Sequence, residues 1–147
     1  MLDFKEKSVH NINVHLPIEM STIEFAKSLA NEVSEGTVIW LVGPLGVGKT
    51  TFARGFLQGK GFEGEVRSPT FNLVHEYNTK PKVCHADLYR IEKPEDVWQL
   101  ALDEYLQDSI LLIEWPERGG EFVPDYDIKI ELSFCDNGRI ANITRKT

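Results

Sequence analysis

Residues 37–50 read TVIWLVGPLGVGKT, and this stretch decides the fold class of the chain. Its first six residues are apolar or β-prone, which is typical of a strand buried on both faces of a parallel sheet. From residue 49 to residue 60 the apolar side chains fall on one helical face: Phe52, Ala53, Phe56 and Leu57. Gly59 and Gly61 then end the helix. The order of strand, glycine-rich loop and helix predicts an α/β domain.

The loop between this strand and this helix matches the pattern G-x-x-x-x-G-K-[ST], from Gly43 to Thr50. In such a loop, backbone N–H groups converge on phosphate oxygens, and glycines let the backbone come close. Lys49 would add a positive charge at the β- and γ-phosphates, and the hydroxyl of Thr50 could bind Mg²⁺. We therefore expect a nucleoside triphosphate and Mg²⁺ to bind through one continuous set of residues: Gly43, Pro44, Leu45, Gly46, Val47, Gly48, Lys49, Thr50 and Thr51.

The chain before this loop predicts one strand and one helix. Residues 7–16 alternate weakly between apolar and polar positions, which favours a strand. Ser21 and Glu24 have the spacing of a capping box, and an apolar stripe follows them until Gly36. These features predict a helix that starts after Ser21.

The chain after the loop predicts a hairpin and then a helix. Residues 71–77 and 82–89 favour two strands, which the turn-forming residues 78–81 would join into an antiparallel pair. Pro94 is a good first helical residue, and the apolar positions after it predict one amphipathic helix that runs to about Gln107.

The last third of the chain predicts one buried strand and a closing hairpin. Residues 110–113 are apolar throughout, and residues 128–134 alternate strictly. Asn137-Gly138 is a strong hairpin turn. At 147 residues the chain has the length of one domain. We therefore expect a single P-loop NTPase-like α/β domain over residues 1–147, with a mixed sheet, parallel at the centre and antiparallel at the edges, flanked by helices.

The composition excludes several classes of protein. The chain has no apolar run long enough to span a membrane, and its first residues lack a secretory signal, so we expect it to be cytoplasmic. Its net charge of −7 argues against a protein that binds nucleic acid by itself. Cys84 and Cys135 lack metal-ligand spacing, and we expect both to be buried and inert. The four histidines form no recognisable ligand or triad spacing, and none is assigned a role.

Two carboxylates stand where predicted strands end. Glu114 follows the strand at 110–113, and in phosphoryl-transfer sites a carboxylate from a neighbouring strand end lies near the metal, so we favour Glu114 in that role. Asp87 could orient a water or sense the γ-phosphate, or it could be a turn residue. Thr70, in the segment Ser68-Pro69-Thr70, could reach the metal or the γ-phosphate. Trp115 could face the site, a partner or the core, whereas Trp40 and Trp98 are expected in the core.

Four blocks of sequence, in this order, closely resemble the TsaE (YjeE) family of small bacterial P-loop ATPases: GPLGVGKTTFARGF, SPTFNLVHEY, HADLYRI and LIEWPERGG. The resemblance runs from about the first helix to the final hairpin. It implies an Mg²⁺-dependent ATPase that serves in forming threonylcarbamoyladenosine beside the anticodon of certain tRNAs. It also implies TsaB and TsaD as protein partners, with the tRNA contacted indirectly through their complex. Hydrolysis by the chain alone should be slow, because such sites often gain orders of magnitude in rate from an arginine supplied in trans.

The resemblance also implies roles for individual residues. Lys49 and Thr50 take the phosphate and Mg²⁺ roles, and Glu114 becomes the carboxylate on the metal side. Thr70 corresponds to the switch-loop residue of the family and Asp87 to its catalytic or sensing carboxylate. Two further residues are tentative contacts to the nucleotide: Glu19, near which the family approaches the base, and Arg139, which with Gly138 matches the glycine-arginine pair of the family's last hairpin.

Three other functions are compatible with a phosphate-binding loop. A small-molecule kinase would need a lid with arginines, and only Glu117-Arg118-Gly119-Gly120 resembles one. A GTPase would need an N-K-x-D segment, which the sequence lacks, so we expect adenine as the base. A binding module would hold ATP or ADP without hydrolysing it. No arginine could be assigned as a catalytic one, although Arg54 and Arg118 stand close to the motifs.

Overall fold

Seven strands form one mixed sheet in the computed structural model, which describes residues 9–66 and 73–146. The strands are β1 (Val9–Leu16), β2 (Val38–Val42), β3 (Val74–Tyr77), β4 (Lys82–Asp87), β5 (Ser109–Glu114), β6 (Ile128–Cys135) and β7 (Gly138–Lys146). The α-helices are α1 (Glu19–Ala30), α2 (Lys49–Gly59) and α3 (Glu95–Trp98). Short 3₁₀ helices cover Leu102–Gln107, Pro116–Arg118 and Gly120–Phe122.

The strand order is β1-β7-β6-β2-β5-β4-β3. The four inner strands β6, β2, β5 and β4 run parallel, whereas β3, β7 and β1 join antiparallel at the two sides. This arrangement confirms the predicted mixed sheet. All six residues of β5 are buried, as expected for a central strand with helices on both faces.

Two apolar clusters pack on opposite faces of the sheet. Successive side chains of a strand point to opposite faces, so Ile110 and Leu112 lie in one cluster while Leu111 and Ile113 lie in the other. The first cluster contains the buried faces of α1 and α2, and the second contains residues of α3 and the neighbouring 3₁₀ helix. The domain is therefore a sheet between two helical layers.

The predicted helix from Pro94 to about Gln107 is wrong as a single element. It consists of α3 and a 3₁₀ helix, separated at Ala101, whose φ of 49° is left-handed. Val97 and Leu102 both lie in the second cluster. Five residues apart on a continuous α-helix, they would point about 140° away from each other, so the break lets both reach the core. Trp98, predicted in the core, is 71% exposed.

Smaller corrections concern helix and strand ends. Helix α1 begins at Glu19, and Ser21 lies inside its first turn, where its Oγ accepts a hydrogen bond from the backbone N–H of Ile18 at 3.3 Å. Strand β4 ends at Asp87 rather than at residue 89, because the Asp87 carboxylate accepts the N–H of Tyr89 and turns the chain.

Trp40, which was predicted in the core, is only half-buried. Its indole N–H donates to Pro124 O at 3.0 Å.

The two cysteines differ in exposure. Cys84 is fully buried, and burial raises the pKa of its thiol to about 12. Cys135 is half-buried at the end of β6, so the prediction that both are buried is wrong for Cys135. Within residues 9–66 and 73–146, none of the helices has the length and apolar content that crossing a membrane requires.

Helix α2 packs against α1 through Gly55. A Cβ at residue 55 would lie 2.6 Å from the carbonyl oxygen of Ile23 and 2.8 Å from its Cα, and backbone atoms cannot move aside as a side chain can. We expect Gly55→Ala to destabilise the chain by about 1–3 kcal/mol, although alanine favours a helix. Denaturant unfolding would measure this. Gln58→Ala, on the exposed side of α2, should stay within about 0.5 kcal/mol of wild type; equal stability of the two variants would contradict close packing at Gly55.

Candidate functional site

The carboxyl ends of β2, β5 and β4 meet at a cleft of about 260 Å³. In open parallel sheets, ligands bind at this edge of the strands. The cleft is lined by Leu45, Gly46, Gly48, Lys49, Thr50, Thr51, Asp87, Tyr89, Glu114 and Trp115. The fold thus brings the phosphate loop together with both strand-end carboxylates.

The phosphate loop joins β2 to the N-terminus of α2. Gly46 and Gly48 have positive φ values of 78° and 117°, which residues other than glycine rarely adopt. Gly48 is the N-cap of α2. Gly48 has no side chain that could cap the helix, and the backbone N–H groups at a helix N-terminus favour an anion. Arg139 of β7 holds the loop from the opposite side, because its Nε donates to Val47 O at 2.8 Å.

Lys49 is 6% exposed at the start of α2. Its Nζ donates to the carbonyl oxygens of Gly43 and Pro44 and lies 4.2 Å from the ring centre of Trp115. Burial lowers the pKa of the ammonium group, although the negative charges of Glu114 and Asp87 act in the opposite direction. The lysine is therefore a partly desolvated cation that faces two carboxylates across the cleft.

Asp87 and Glu114 occupy paired positions on the adjacent parallel strands β4 and β5. Paired positions point to the same face, so both carboxylates lie on the side of the sheet that carries α2. Burial, and then the charge of Glu114, raises the pKa of Asp87, while the hydrogen bond from Tyr89 N–H partly offsets this. A cation between or beside the two carboxylates would reduce the electrostatic repulsion between them.

A third residue joins this pair and was missed by sequence reasoning. His85 is fully buried on β4, and its Nε2 lies 2.6 Å from Oε2 of Glu114. Its other ring nitrogen, Nδ1, is buried and has no hydrogen-bond partner within the described part of the chain. A buried polar atom without a partner costs about 1–3 kcal/mol. The available signal was the spacing of His85 and Asp87, which puts both on one face of a strand that ends at the site.

Trp115 follows Glu114 directly and has a left-handed backbone, with φ of 59°. This conformation is uncommon for a bulky residue and is typical of functional sites. Its ring stands 5.0 Å from that of Tyr89, and the guanidinium of Arg118 lies over both rings, at 5.2 Å from Tyr89 and 5.7 Å from Trp115. Trp115 lines the cleft and also packs against the second apolar cluster, so of the roles considered from sequence both the site and the core apply.

The oxygen atoms at the cleft suit Mg²⁺, which prefers hydroxyl, carboxylate and water ligands. Thr50 and Glu114 both line the cleft. Among the described residues, no group of three or more His, Cys, Asp or Glu side chains could hold a metal ion. A magnesium ion here would therefore depend on phosphate oxygens and water for its remaining ligands, which is usual for ions that accompany a nucleotide.

A smaller cavity of about 160 Å³ lies on the other side of the phosphate loop. The two tentative contacts, Glu19 and Arg139, both line it, together with Thr22, Gly46, Gly48 and Thr51. Glu19 also pairs with Arg54 at 3.3 Å. Thr70 and its neighbours Ser68 and Pro69 lie outside the described residues, so the predicted role of Thr70 stays a prediction.

A family model and the two relatives given below all bear the name TsaE. Residues 16–141 match the family model "Threonylcarbamoyl adenosine biosynthesis protein TsaE". The chain is 37% identical over 146 residues to the tRNA threonylcarbamoyladenosine biosynthesis protein TsaE of Haemophilus influenzae, covering 95% of this chain and 92% of that protein. It is 38% identical over 141 residues to the protein of the same name from Rickettsia bellii, covering 92% and 96%.

A solved structure is also similar in fold. The crystal structure of Bacillus subtilis YdiB superposes with a TM-score of 0.78 at 28% sequence identity. The match covers 98% of this chain and 90% of YdiB. The arrangement of strands and helices described above is therefore shared over almost the whole of both chains.

Proposed function

This chain belongs to the TsaE family of tRNA threonylcarbamoyladenosine biosynthesis proteins, and from that premise we propose that it is the Mg²⁺-dependent ATPase of that modification, acting as a nucleotide switch. We further propose that TsaB and TsaD are its partners in the cytoplasm. The tRNA would be held mainly by their complex, in keeping with the net charge of −7 on this chain.

One observation supports the proposal most strongly. The cleft gathers a phosphate loop, a half-buried strand-end aspartate and a buried strand-end glutamate within one volume of about 260 Å³. Binding of a nucleotide needs only the loop, whereas hydrolysis also needs groups that hold a metal and a water. Asp87 and Glu114 are suited to those two tasks by their position beside Thr50 and Lys49.

The proposed chemistry assigns one task to each residue. The N-terminus of α2 and Lys49 would bind the β- and γ-phosphates and stabilise the charge that develops on them. Thr50 and Glu114 would hold Mg²⁺, which supplies further charge neutralisation when it is bound. Asp87 would accept a hydrogen bond from the attacking water and orient it. The pKa of Asp87 is raised first by burial and then by the negative charge of Glu114, and bound Mg²⁺ would reduce the second of these effects.

Hydrolysis by the chain alone should be slow. In related phosphoryl-transfer sites an arginine on the γ-phosphate raises the rate by about 10³–10⁵. Within the described residues, Arg118 is stacked on Tyr89 and Trp115, and Arg54 is paired with Glu19. Neither side chain lines the cleft, and Arg139 is bonded to Val47 O on the other side of the phosphate loop, so a partner that supplies or repositions an arginine would accelerate turnover.

A reconstituted assay tests the proposal. Phosphate release from ATP would be measured for the chain alone, with TsaB and TsaD, and with tRNA added, while threonylcarbamoyladenosine is quantified in the same tubes. We expect turnover that requires Mg²⁺, stimulation of at least about tenfold by the partners, and tRNA modification that depends on the chain. Modification that proceeds equally well when the chain is omitted would contradict the proposal.

The same assay separates the other functions. A small-molecule kinase would transfer labelled phosphate from ATP to a metabolite rather than to water. A binding module would retain ATP without turnover even beside its partners. The segment Glu117-Arg118-Gly119-Gly120, which resembles a kinase lid in sequence, lies across two short 3₁₀ helices, and Gly119 packs against Val97 and Val123. Packing of that kind does not favour the kinase.

A further inference from the structure

The contact between His85 and Glu114 joins two strands inside the domain. The Nε2 to Oε2 distance is 2.6 Å, at the short end for a hydrogen bond to a carboxylate. The side chain of His85 is 0% exposed and that of Glu114 is 4% exposed. The bond is therefore shielded from water and holds the glutamate side chain in one orientation.

The two carboxylate oxygens of Glu114 have different surroundings as a result. His85 lies on the same face of β4 as Val83, which is packed in the core beneath α1 and α2, so the ring approaches the carboxylate from the core side. With Oε2 engaged by the ring, Oε1 is the oxygen left to meet an ion or a water in the cleft. Glu114 lines that cleft.

The contact with Glu114 accounts for a histidine at position 85. Nδ1 of His85 is buried without a partner among the described residues, which is unfavourable to folding. The bond from Nε2 to Glu114 offsets this, because the Glu114 carboxylate is itself buried and needs a polar partner. An apolar side chain at position 85 would leave that carboxylate without this bond.

We propose that His85 is a positioning residue that donates its Nε2–H to Oε2 of Glu114 and thereby directs Oε1 toward the Mg²⁺ of the bound nucleotide. The proposal rests on the proposed function, because it assumes that Glu114 faces a metal. Groups that orient metal ligands in this way typically affect metal affinity by about 10–100-fold.

Two amide substitutions of His85 with different side-chain lengths test whether its bond to Glu114 affects Mg²⁺ binding. The amide nitrogen of His85→Gln can take the place of Nε2, whereas that of His85→Asn is too short and takes the place of Nδ1. The readout is binding of a non-hydrolysable ATP analogue to the full chain at increasing Mg²⁺ concentrations, followed by calorimetry. We expect His85→Asn to raise the half-saturating Mg²⁺ concentration at least about tenfold, and His85→Gln to stay within about threefold of wild type.

The matched control is His75→Asn. His75 pairs with His85 across β3 and β4, but it is half-buried and lies on a strand that β4 separates from Glu114. The His75→Asn variant should bind the ATP analogue with the same dependence on Mg²⁺ concentration as the wild type. In a Glu114→Gln background, His85→Asn should have no additional effect, since its influence passes through the carboxylate. Equal behaviour of His85→Asn and His85→Gln, or additive effects with Glu114→Gln, would overturn the proposal.

The wild-type chain gives an independent check that does not depend on how well the variants fold. Nitrogen NMR of the imidazole should show the Nε2–H tautomer, both with and without the Mg²⁺-bound analogue. An Nδ1–H ring would overturn the proposal. Analogue binding that is indifferent to Mg²⁺ in the wild type would contradict the proposed function as well, whereas Mg²⁺-dependent binding with an unaffected His85→Asn variant would contradict this inference alone.

Discussion

Lys49→Ala should reduce ATP hydrolysis by at least about a hundredfold while leaving the chain folded. Removing one donor that stabilises developing charge costs about 10²–10³ in rate, and Lys49 is the lysine of the phosphate loop. Folding should change little. The ammonium group is 6% exposed and its pKa is lowered by burial, so the loss of its bonds to Gly43 O and Pro44 O is offset by removing a desolvated charge.

Lys60→Ala provides the matched control. Lys60 also stands at an end of α2, and burial lowers its pKa too, but its Nζ donates to Val33 O at 2.6 Å, far from the cleft. This variant should lose about 1 kcal/mol of stability and keep wild-type hydrolysis. Steady-state phosphate release and denaturant unfolding would be measured for both variants. Hydrolysis by Lys49→Ala within threefold of wild type would rule out the phosphate role of this lysine.

Asp87→Asn should make the chain less active and more stable at neutral pH. If the asparagine oxygen keeps the bond from Tyr89 N–H, the group left for the attacking water is an NH₂, which cannot accept a hydrogen bond from it, so hydrolysis should fall about a hundredfold or more. Stability should change in the other direction. Burial and the charge of Glu114 raise the pKa of Asp87 above its ordinary value of 3.8, so the ionised carboxylate is less favourable in the folded chain than in the unfolded one.

The sign of the pH dependence follows from proton binding. Between pH 3.8 and the raised pKa the folded chain holds more protons than the unfolded chain, so wild-type stability falls as the pH rises through this window. At pH 7 the full penalty is present, and asparagine removes it while its side-chain oxygen can still accept Tyr89 N–H. We expect an unfolding midpoint about 1–3 °C higher at pH 7, and no difference from wild type below pH 3.8.

Thermal unfolding at a series of pH values would measure this difference. Asp103→Asn, an exposed aspartate on the opposite helical layer, should change neither stability nor hydrolysis. A lower midpoint for Asp87→Asn at pH 7 would show that the aspartate stabilises the fold instead of the reaction.

Local sequence was a good guide where consecutive residues determine the structure. The strand at 38–42, the glycine loop and α2 were predicted within one or two residues, because apolar periodicity and glycine positions act over short distances. The prediction of one continuous helix between Pro94 and Gln107 was wrong. There the apolar pattern is helical, but the need to bury both Val97 and Leu102 in one core breaks the helix at Ala101.

The sequence by itself determined the phosphate loop, the two strand-end carboxylates and the mixed α/β sheet. Each of these follows from residue types and apolar patterns over short stretches of the chain. Only the tertiary structure decided that Arg139 reaches Val47, 92 residues away, and that His85 holds Glu114, 29 residues away. Both contacts depend on which strands are adjacent and in what register. A shift of one residue between β4 and β5 would turn His85 to the other face of the sheet, and nothing local to either strand fixes that register.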